Sequence, residues 1–230
     1  MKLYRSNDQL FYRKGSIAGR CHACAERRLN VMNVYGDQRS GNCYKVRLTC
    51  ALLGIAYNWI PIDIRSQDTK TEQFRRINPN GKIPAVELSD GRCLWESNAI
   101  INYLARHSSL LPNDAYELAK VQQWQFFEQY SHEPYIAVAR YINVYLGRPA
   151  EKEAEYEGRQ QGGHRALSVM EEQFHTSEFV AGDRMTTADI SLYAYTHLAD
   201  EGGYELERYP AVSSWLDRIS RQPRYIGMLD

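Results

Sequence analysis

The chain has 230 residues, of which 43% are hydrophobic and 24% charged; that is enough apolar material for one large domain or two small ones, and too much for a wholly disordered chain. Its 28 Lys and Arg cancel its 28 Asp and Glu, so no bulk field favours nucleic acid or an anionic membrane. No apolar run reaches the roughly 18 to 20 residues that a bilayer span needs, and the expected partner is a small molecule or a protein.

The first 30 residues differ from the rest. They carry Lys2, Arg5, Arg13, Lys14, Arg20, Arg27 and Arg28 against Asp8 and Glu26, and they lack a sustained helical or strand period. Without an apolar h-region they are no secretory signal. Their composition loosely suits a transit peptide, and a tag, a true start at Met32 or a disordered arm fit as well. Residues 1–30 are therefore expected to be a disordered extension outside the fold. The five cysteines Cys21, Cys24, Cys43, Cys50 and Cys93 are odd in number and sparse, which speaks for a reducing compartment, by default the cytoplasm. Cys21 and Cys24 have Cys-x-x-Cys spacing around His22, but no second ligand pair follows, so no metal site is expected there.

Val31 to Tyr35 reads as a strand, and Val46, Cys50 and Leu53 recur at helical spacing before Gly54, which predicts a helix from about Asn42 to Leu53. Tyr57 to Ile64 alternates as a second strand, closing a β-α-β unit with parallel strands. The Asn78-Pro79-Asn80-Gly81 turn leads into a strand from Ile83 to Leu88 with Pro84 near its start. Asp90-Gly91 predicts a hairpin to Cys93–Trp95, and Ile100, Ile101, Leu104 and Ala105 give a helix opened by Glu96 and Ser97.

From Ser108 to Tyr116 the composition is that of a linker, and helical periods follow. One long helix begins near Leu118 and resumes from Tyr130 to Leu146 beyond a break near Pro134; another is expected from about Ala150 to Phe174. Thr186-Thr187-Ala188-Asp189 fits a capping box with Met185 and Ile190 as a hydrophobic staple, which assigns Asp189 to folding, and a last helix runs from about Ala211 to Arg221. The expected organisation is an α/β unit over 31–108, a linker over 109–116 and an all-α unit over 117–230.

The motifs Ser40-Gly-Asn-Cys-Tyr-Lys-Val-Arg, Asn78-Pro-Asn-Gly-Lys-Ile-Pro, Glu96-Ser-Asn-Ala-Ile and Thr186-Thr-Ala-Asp, in this order and spacing, resemble a cytosolic glutathione transferase over about Met32 to Asp230. The resemblance is to bacterial-type, serine-type members, like the theta and zeta classes. It implies a thioredoxin-like N-terminal domain that binds glutathione, an all-α C-terminal domain that completes a pocket for an electrophile, and a homodimer.

Ser40 heads the first helix, where free N–H groups and the positive helix end favour an anion such as a thiolate. Serine-type members have a serine six residues before the valine corresponding to Val46, and Ser40 matches. A free thiol with a pKa of about 8.5 is mostly protonated at neutral pH, so a hydroxyl that lowers it by ~2 units, worth about 2.7 kcal/mol, supplies the nucleophile. A plain N-cap is the other reading of Ser40, and one hydroxyl can do both. Tyr35, near the catalytic tyrosine of other classes, is the main rival, although a strand aromatic packed in the core is the favoured reading of it. Cys43 is a second alternative, usable in a mixed disulfide only if exposed.

The resemblance further implies a cis Ile83–Pro84 bond that turns the Ile83 backbone toward the cysteinyl part of glutathione, with Glu96 and Ser97 taking the γ-glutamyl end. It places Lys82 at the glycyl end, while Thr69 stands where theta-like members have a histidine. Tyr130, His132, Tyr135 and Arg140 are candidates for the electrophile pocket, against a bland reading as packing or surface residues. Three functions stay open: conjugation of glutathione to a small electrophile, glutathione-dependent disulfide reduction, isomerisation or dehalogenation, and a non-catalytic binding protein. Glutathione is the only cosubstrate implied, with no metal.

Overall fold

A computed structural model describes residues 31–230; the expected disordered extension and the Cys21 and Cys24 pair lie outside the described residues. Strand β1 (Met32–Gly36) buries its alternate residues Met32, Val34 and Gly36, as the two-residue period of a strand demands. β2 (Tyr57–Pro61) runs parallel to it with Tyr57 opposite Met32, β3 (Ala85–Glu87) pairs antiparallel on its other side with Val86 opposite Val34, and β4 (Cys93–Trp95) pairs antiparallel with β3. The sheet order is β2-β1-β3-β4. β2 and β3 are shorter than the expected Tyr57 to Ile64 and Ile83 to Leu88. In β3 the proline at 84 cannot donate to the ladder, and pairing begins one residue later.

Helix α1 (Gly41–Leu53) joins β1 to β2. Gly54 ends it in the left-handed region at φ 66°, with the Ile55 N–H returning to Cys50 O at 2.8 Å. Every residue from Cys43 to Cys50 is buried, so α1 is covered by the sheet on one side and by helices on the other. The apolar stripe in the sequence marks only one face. A short α2 (Glu72–Ile77) and the turn Asp68–Lys70 before it have no counterpart in the expected elements. Six residues with one buried side chain, Phe74, leave no period to detect. α3 (Ser97–Ala105) follows β4 and buries Ile100, Ile101 and Ala105.

The remainder is helical: α4 (Ala115–Phe127), α5 (Glu133–Arg140), α6 (Glu153–Phe174), α7 (Thr187–Thr196) and α8 (Pro210–Ser220). The expected break near Pro134 takes the form of a widening. Residues Glu128–His132 form a π segment and α5 starts at Glu133, so Pro134 falls in a first turn, where its missing N–H leaves no bond unmade. A second π segment, Tyr141–Tyr145, ends this long helical run. α8 lays Val212, Trp215 and Ile219 inward, with Trp215 stacked on Phe174 at 4.9 Å; each such side chain is worth roughly 1.5–3 kcal/mol when buried. One apolar cluster runs from Val34, Val46 and Ile101 to Trp124, Ile136, Leu167, Ile190 and Trp215.

The capping box of α7 is present. The Asp189 carboxylate is fully buried and accepts from the backbone N–H groups of Val180 and Thr186, both at 2.8 Å, and from Trp215 Nε1 at 3.0 Å. This acid ties α7, α8 and the Val180 segment together. Among the described residues no helix is long and apolar enough to cross a membrane.

Candidate functional site

Three features converge beside the C-terminal end of β1. Ser40 is the N-cap of α1, and its Oγ accepts from the Cys43 N–H at 3.4 Å. That long bond uses one lone pair and leaves the hydroxyl proton free to donate elsewhere. The Ile83–Pro84 bond is cis, and Ile83 lies outside the β1–β3 ladder, which starts at Ala85. Glu96 heads α3 at φ 67° without a side-chain capping bond; a non-glycine residue held there stores roughly 1–3 kcal/mol of strain, a cost that clusters at binding sites. The Ser97 hydroxyl donates across to Asn42 Oδ1 at 3.1 Å.

Lys82, Ile83, Pro84, Glu96 and Ser97 all line one cleft of about 110 Å3. Asn42, in the first turn of α1, lines it too, and Ser40 sits two residues ahead at the head of the same helix. The opposite wall comes from the helical region, through Gln129 and Glu133. Asn42 Nδ2 donates to Glu133 Oε1 at 3.0 Å, so the two walls are tied at the cleft. Beneath them lies a fully buried ion pair, Lys45 Nζ to Glu128 Oε1 at 2.8 Å, whose lysine also reaches Ser97 Oγ at 3.4 Å. Asn98 and Gln129 donate to the other Glu128 oxygen at 3.1 and 2.8 Å. Burial pushes the Glu133 carboxyl up, with Lys45 pulling the other way.

Gly41 belongs to the site for a steric reason. A Cβ there would lie 2.6 Å from the Tyr195 ring, so only glycine lets the helix head come this close to α7.

The other candidates lie elsewhere. Tyr35 points to the opposite face of the sheet, packs edge to face on Phe74 at 6.3 Å and donates to Glu87 Oε2 at 2.9 Å. Burial and the Glu87 carboxylate push its phenol up to about 12, which suits a packed aromatic and not a residue of the cleft. Cys43 is completely buried, and burial pushes its thiol up to about 12 against the opposing pull of the Ser40 hydroxyl; it is neither exposed nor ionised at neutral pH.

The four residues expected in an electrophile pocket do not come together. Tyr130 is 80% exposed and lines, with Tyr135, a shallow hollow over Gly162 and Ala166 of α6. His132 is fully buried, with Nε2 at 2.9 Å from Thr196 Oγ1, and burial lowers its pKa to about 4. Arg140 is buried against Glu201, Nε to Oε2 at 2.6 Å. Nearer Ser40, the Arg39 guanidinium stands 4.8 Å over the Tyr145 ring, and Tyr145 stacks on the half-exposed Tyr141 at 5.3 Å. These two tyrosines, together with Asn42, Gln129 and Glu133, are not among the candidates that the sequence supplies. Asn42 stands inside the Ser40 motif, but the others have no local signature. Among the described residues, no group of three or more His, Cys, Asp or Glu side chains is arranged to hold a metal ion.

Profiles for the glutathione S-transferase N-terminal and C-terminal domains match residues 39–107 and 126–223. A crystal structure of a glutathione S-transferase from Pseudomonas fluorescens is 54% identical, with a TM-score of 0.86 over 87% of this chain and 100% of its own. The glutathione S-transferase-like protein LUC7 of a Fusarium species is 31% identical over 79% of this chain and 85% of its own length. The glutathione transferase URE2P6 from Phanerochaete chrysosporium, crystallised in complex with oxidized glutathione, is 26% identical, with a TM-score of 0.77 over 85% of this chain and 93% of its own. The chain belongs to the glutathione S-transferase family.

Proposed function

We propose that this protein is a glutathione transferase that joins the glutathione sulfur to a small electrophile. The observation that carries the reading is the single cleft where the head of α1, the cis Ile83–Pro84 bond and the uncapped head of α3 meet. In this reading the γ-glutamyl carboxylate lies on Ser97 and the N–H groups of α3, and its ammonium on Glu96. The Ile83 backbone holds the cysteinyl part, and Lys82 holds the glycyl carboxylate. Ser40 donates its hydroxyl proton to the thiolate. The sulfur then attacks an electrophilic carbon, and the leaving group departs with its electron pair. Residues 31–108 and 117–230 serve as glutathione-binding and electrophile-facing domains joined by 109–116. Detoxification in a reducing cytoplasm fits the three free cysteines Cys43, Cys50 and Cys93 among the described residues. A homodimer is the expected assembly, and exposed Trp95, Phe126 and Tyr130 supply apolar surface for it.

Retention on immobilised glutathione and turnover of a generic aryl halide test the reading. Ser40→Ala is expected to raise the pKa of the bound thiol by ~2 units, about 2.7 kcal/mol. An unchanged thiol removes Ser40 from the chemistry, and binding without turnover selects the non-catalytic alternative.

A second reading, reduction of disulfides, is favoured by the oxidized glutathione bound to URE2P6. The attacking thiolate would again be glutathione's own, with the other sulfur of the disulfide leaving as thiolate. The burial of Cys43 speaks against a mixed disulfide on the protein, so Cys43→Ser is expected to keep any reductase activity.

A further inference from the structure

The loop between β1 and α1, Asp37 to Ser40, ends on the hydroxyl that faces the sulfur in the function proposed above. Its own bonds are few: the Arg39 N–H donates to Asp37 Oδ1 at 2.8 Å and the Ser40 N–H to Asp37 O at 3.1 Å. The two residues just ahead of Ser40 are held from outside the sheet. Arg140 of α5, its side chain 7% exposed and paired to Glu201, donates NH1 to Arg39 O at 3.1 Å. On the other flank, Gln38 Nε2 donates to Leu229 O at 3.0 Å.

The segment that carries Leu229 is fastened to α1. The Tyr44 hydroxyl donates to Ile226 O at 2.7 Å, and the Arg47 guanidinium donates to Met228 O at 2.6 Å and to the Asp230 backbone oxygen at 2.5 Å. Met228 is buried beneath it. Arg47 is itself buried, yet it forms no ion pair with a carboxylate side chain among the described residues. A cation removed from water and satisfied by backbone oxygens fixes the path of that backbone, since the rigid guanidinium fork dictates where both oxygens lie. The loop and its helix are thus gripped between α5 and the segment 226–230.

We propose that Arg47 and Arg140 are positioning residues for Ser40, Arg47 acting through segment 226–230 and Gln38, Arg140 through the Arg39 carbonyl. The inference rests on the thiolate role of Ser40. A donor must be held within about 0.5 Å of its productive place to act; α1 holds Ser40 through the Tyr44 N–H to Ser40 O bond at 2.9 Å, and the two flanks hold Gln38 and Arg39 just ahead of it.

The test is an ultraviolet titration of the thiolate in the enzyme–glutathione complex, read beside glutathione affinity and the melting temperature. Gln38→Ala changes an exposed, neutral residue and is expected to reduce the thiolate fraction about threefold below the thiol pKa; Arg47→Met and Arg140→Met are expected to reduce it about tenfold. Affinity, set by the cleft around Ser97, is expected to change by less than about threefold. Arg140→Lys keeps the charge but loses the fork, so it is expected to behave like Arg140→Met; full rescue by lysine overturns positioning in favour of simple charge. Should a methionine variant fail to fold, Gln38→Ala decides for the 226–230 flank and Arg140→Lys for the α5 flank. Variants with wild-type thiolate titration overturn the inference. A wild-type protein with no bound thiolate instead removes the function proposed above, and this inference with it.

Discussion

Two kinds of helix head occur in this molecule. At the head of α7 every donor is met: Thr186 caps the Ala188 N–H, and Asp189 collects two backbone N–H groups and the Trp215 indole in a sealed pocket. At the cleft, α1 has one long capping bond and α3 has no side-chain cap. The first four N–H groups of any helix need partners. Where the protein supplies them, the head holds the fold together; where it withholds them beside a cleft, the head is left for an anion. The sealed head and the cleft each hold a carboxyl with a raised pKa, the fully buried Asp189 and the part-buried Glu133 of the facing α5, so a raised pKa alone does not distinguish the two. The number of fixed donors does.

The largest effect is expected from breaking the sealed head. Asp189→Asn turns its amide hydrogens either against the Val180 N–H and Trp215 Nε1, which share Oδ1, or against the Thr186 N–H on Oδ2, and at roughly 1–3 kcal/mol for each donor left unmet the loss is about 2–4 kcal/mol. Urea unfolding measures it. A loss under about 1 kcal/mol would show that this head is no better satisfied than the one at the cleft.

Next in size is His132, the buried imidazole beneath the cleft. Its pKa is lowered to about 4 by burial, assisted by Lys45 and opposed by Glu128. The unfolded chain takes up a proton near 6.5 that the folded chain refuses, so wild-type stability should fall as pH drops from 6.5 toward 4, by at most roughly 3 kcal/mol. His132→Gln loses that slope. Its stability deficit at pH 7, where Thr196 has a poorer partner, should shrink by pH 4.5, and parallel curves for the two proteins would refute the assignment.

Gly41→Ala probes how closely the open head must approach α7. Alanine elsewhere in a helix gains about 0.5–1 kcal/mol over glycine, but here the methyl meets the Tyr195 ring. A net loss of about 2 kcal/mol is expected from overpacking, with weaker glutathione binding as α1 shifts. A stabilised variant would mean that the ring moves aside freely.

What could be read in the sequence follows the same division. The capping box at Thr186, the Ser40 motif and the Lys82–Pro84 and Glu96–Ser97 segments are contiguous runs, and a few adjacent residues suffice to fix their geometry. The far wall of the cleft is built from Gln129 and Glu133, which are single side chains on a distorted helix. A π segment inserts about one extra residue and so rotates the following face by about 100° relative to a regular α-helix. The residue types that make Tyr130 and His132 candidates do not say which way they face through Glu128–His132, where His132 is in the core and Tyr130 faces outward. Arg140 is a candidate by its charge, yet the charge is consumed by Glu201 and the Arg39 carbonyl. Short α2 leaves no trace in the sequence because a single buried residue, Phe74, has no period.

The smallest effect, and the one that tests the comparison most directly, is expected from Glu133→Gln. Glutamine is the same shape, and its carbonyl can still accept from Asn42. Only one fixed donor holds the native carboxylate, so little is lost, and the desolvation that raises its pKa is removed. A raised folded-state pKa means that the carboxyl contributes its stability below the ordinary glutamate value and loses it as pH rises through the folded value. Glu133→Gln should therefore match or exceed wild-type stability at pH 7 by up to about 1 kcal/mol, with the gain vanishing in acid below about pH 4. The same isosteric exchange at Asp189 is expected to move stability the other way. Thermal melts of both amide variants across that range decide the point: if they shift in the same direction, the count of fixed donors is not what separates a helix head that holds the fold from one that faces the cleft.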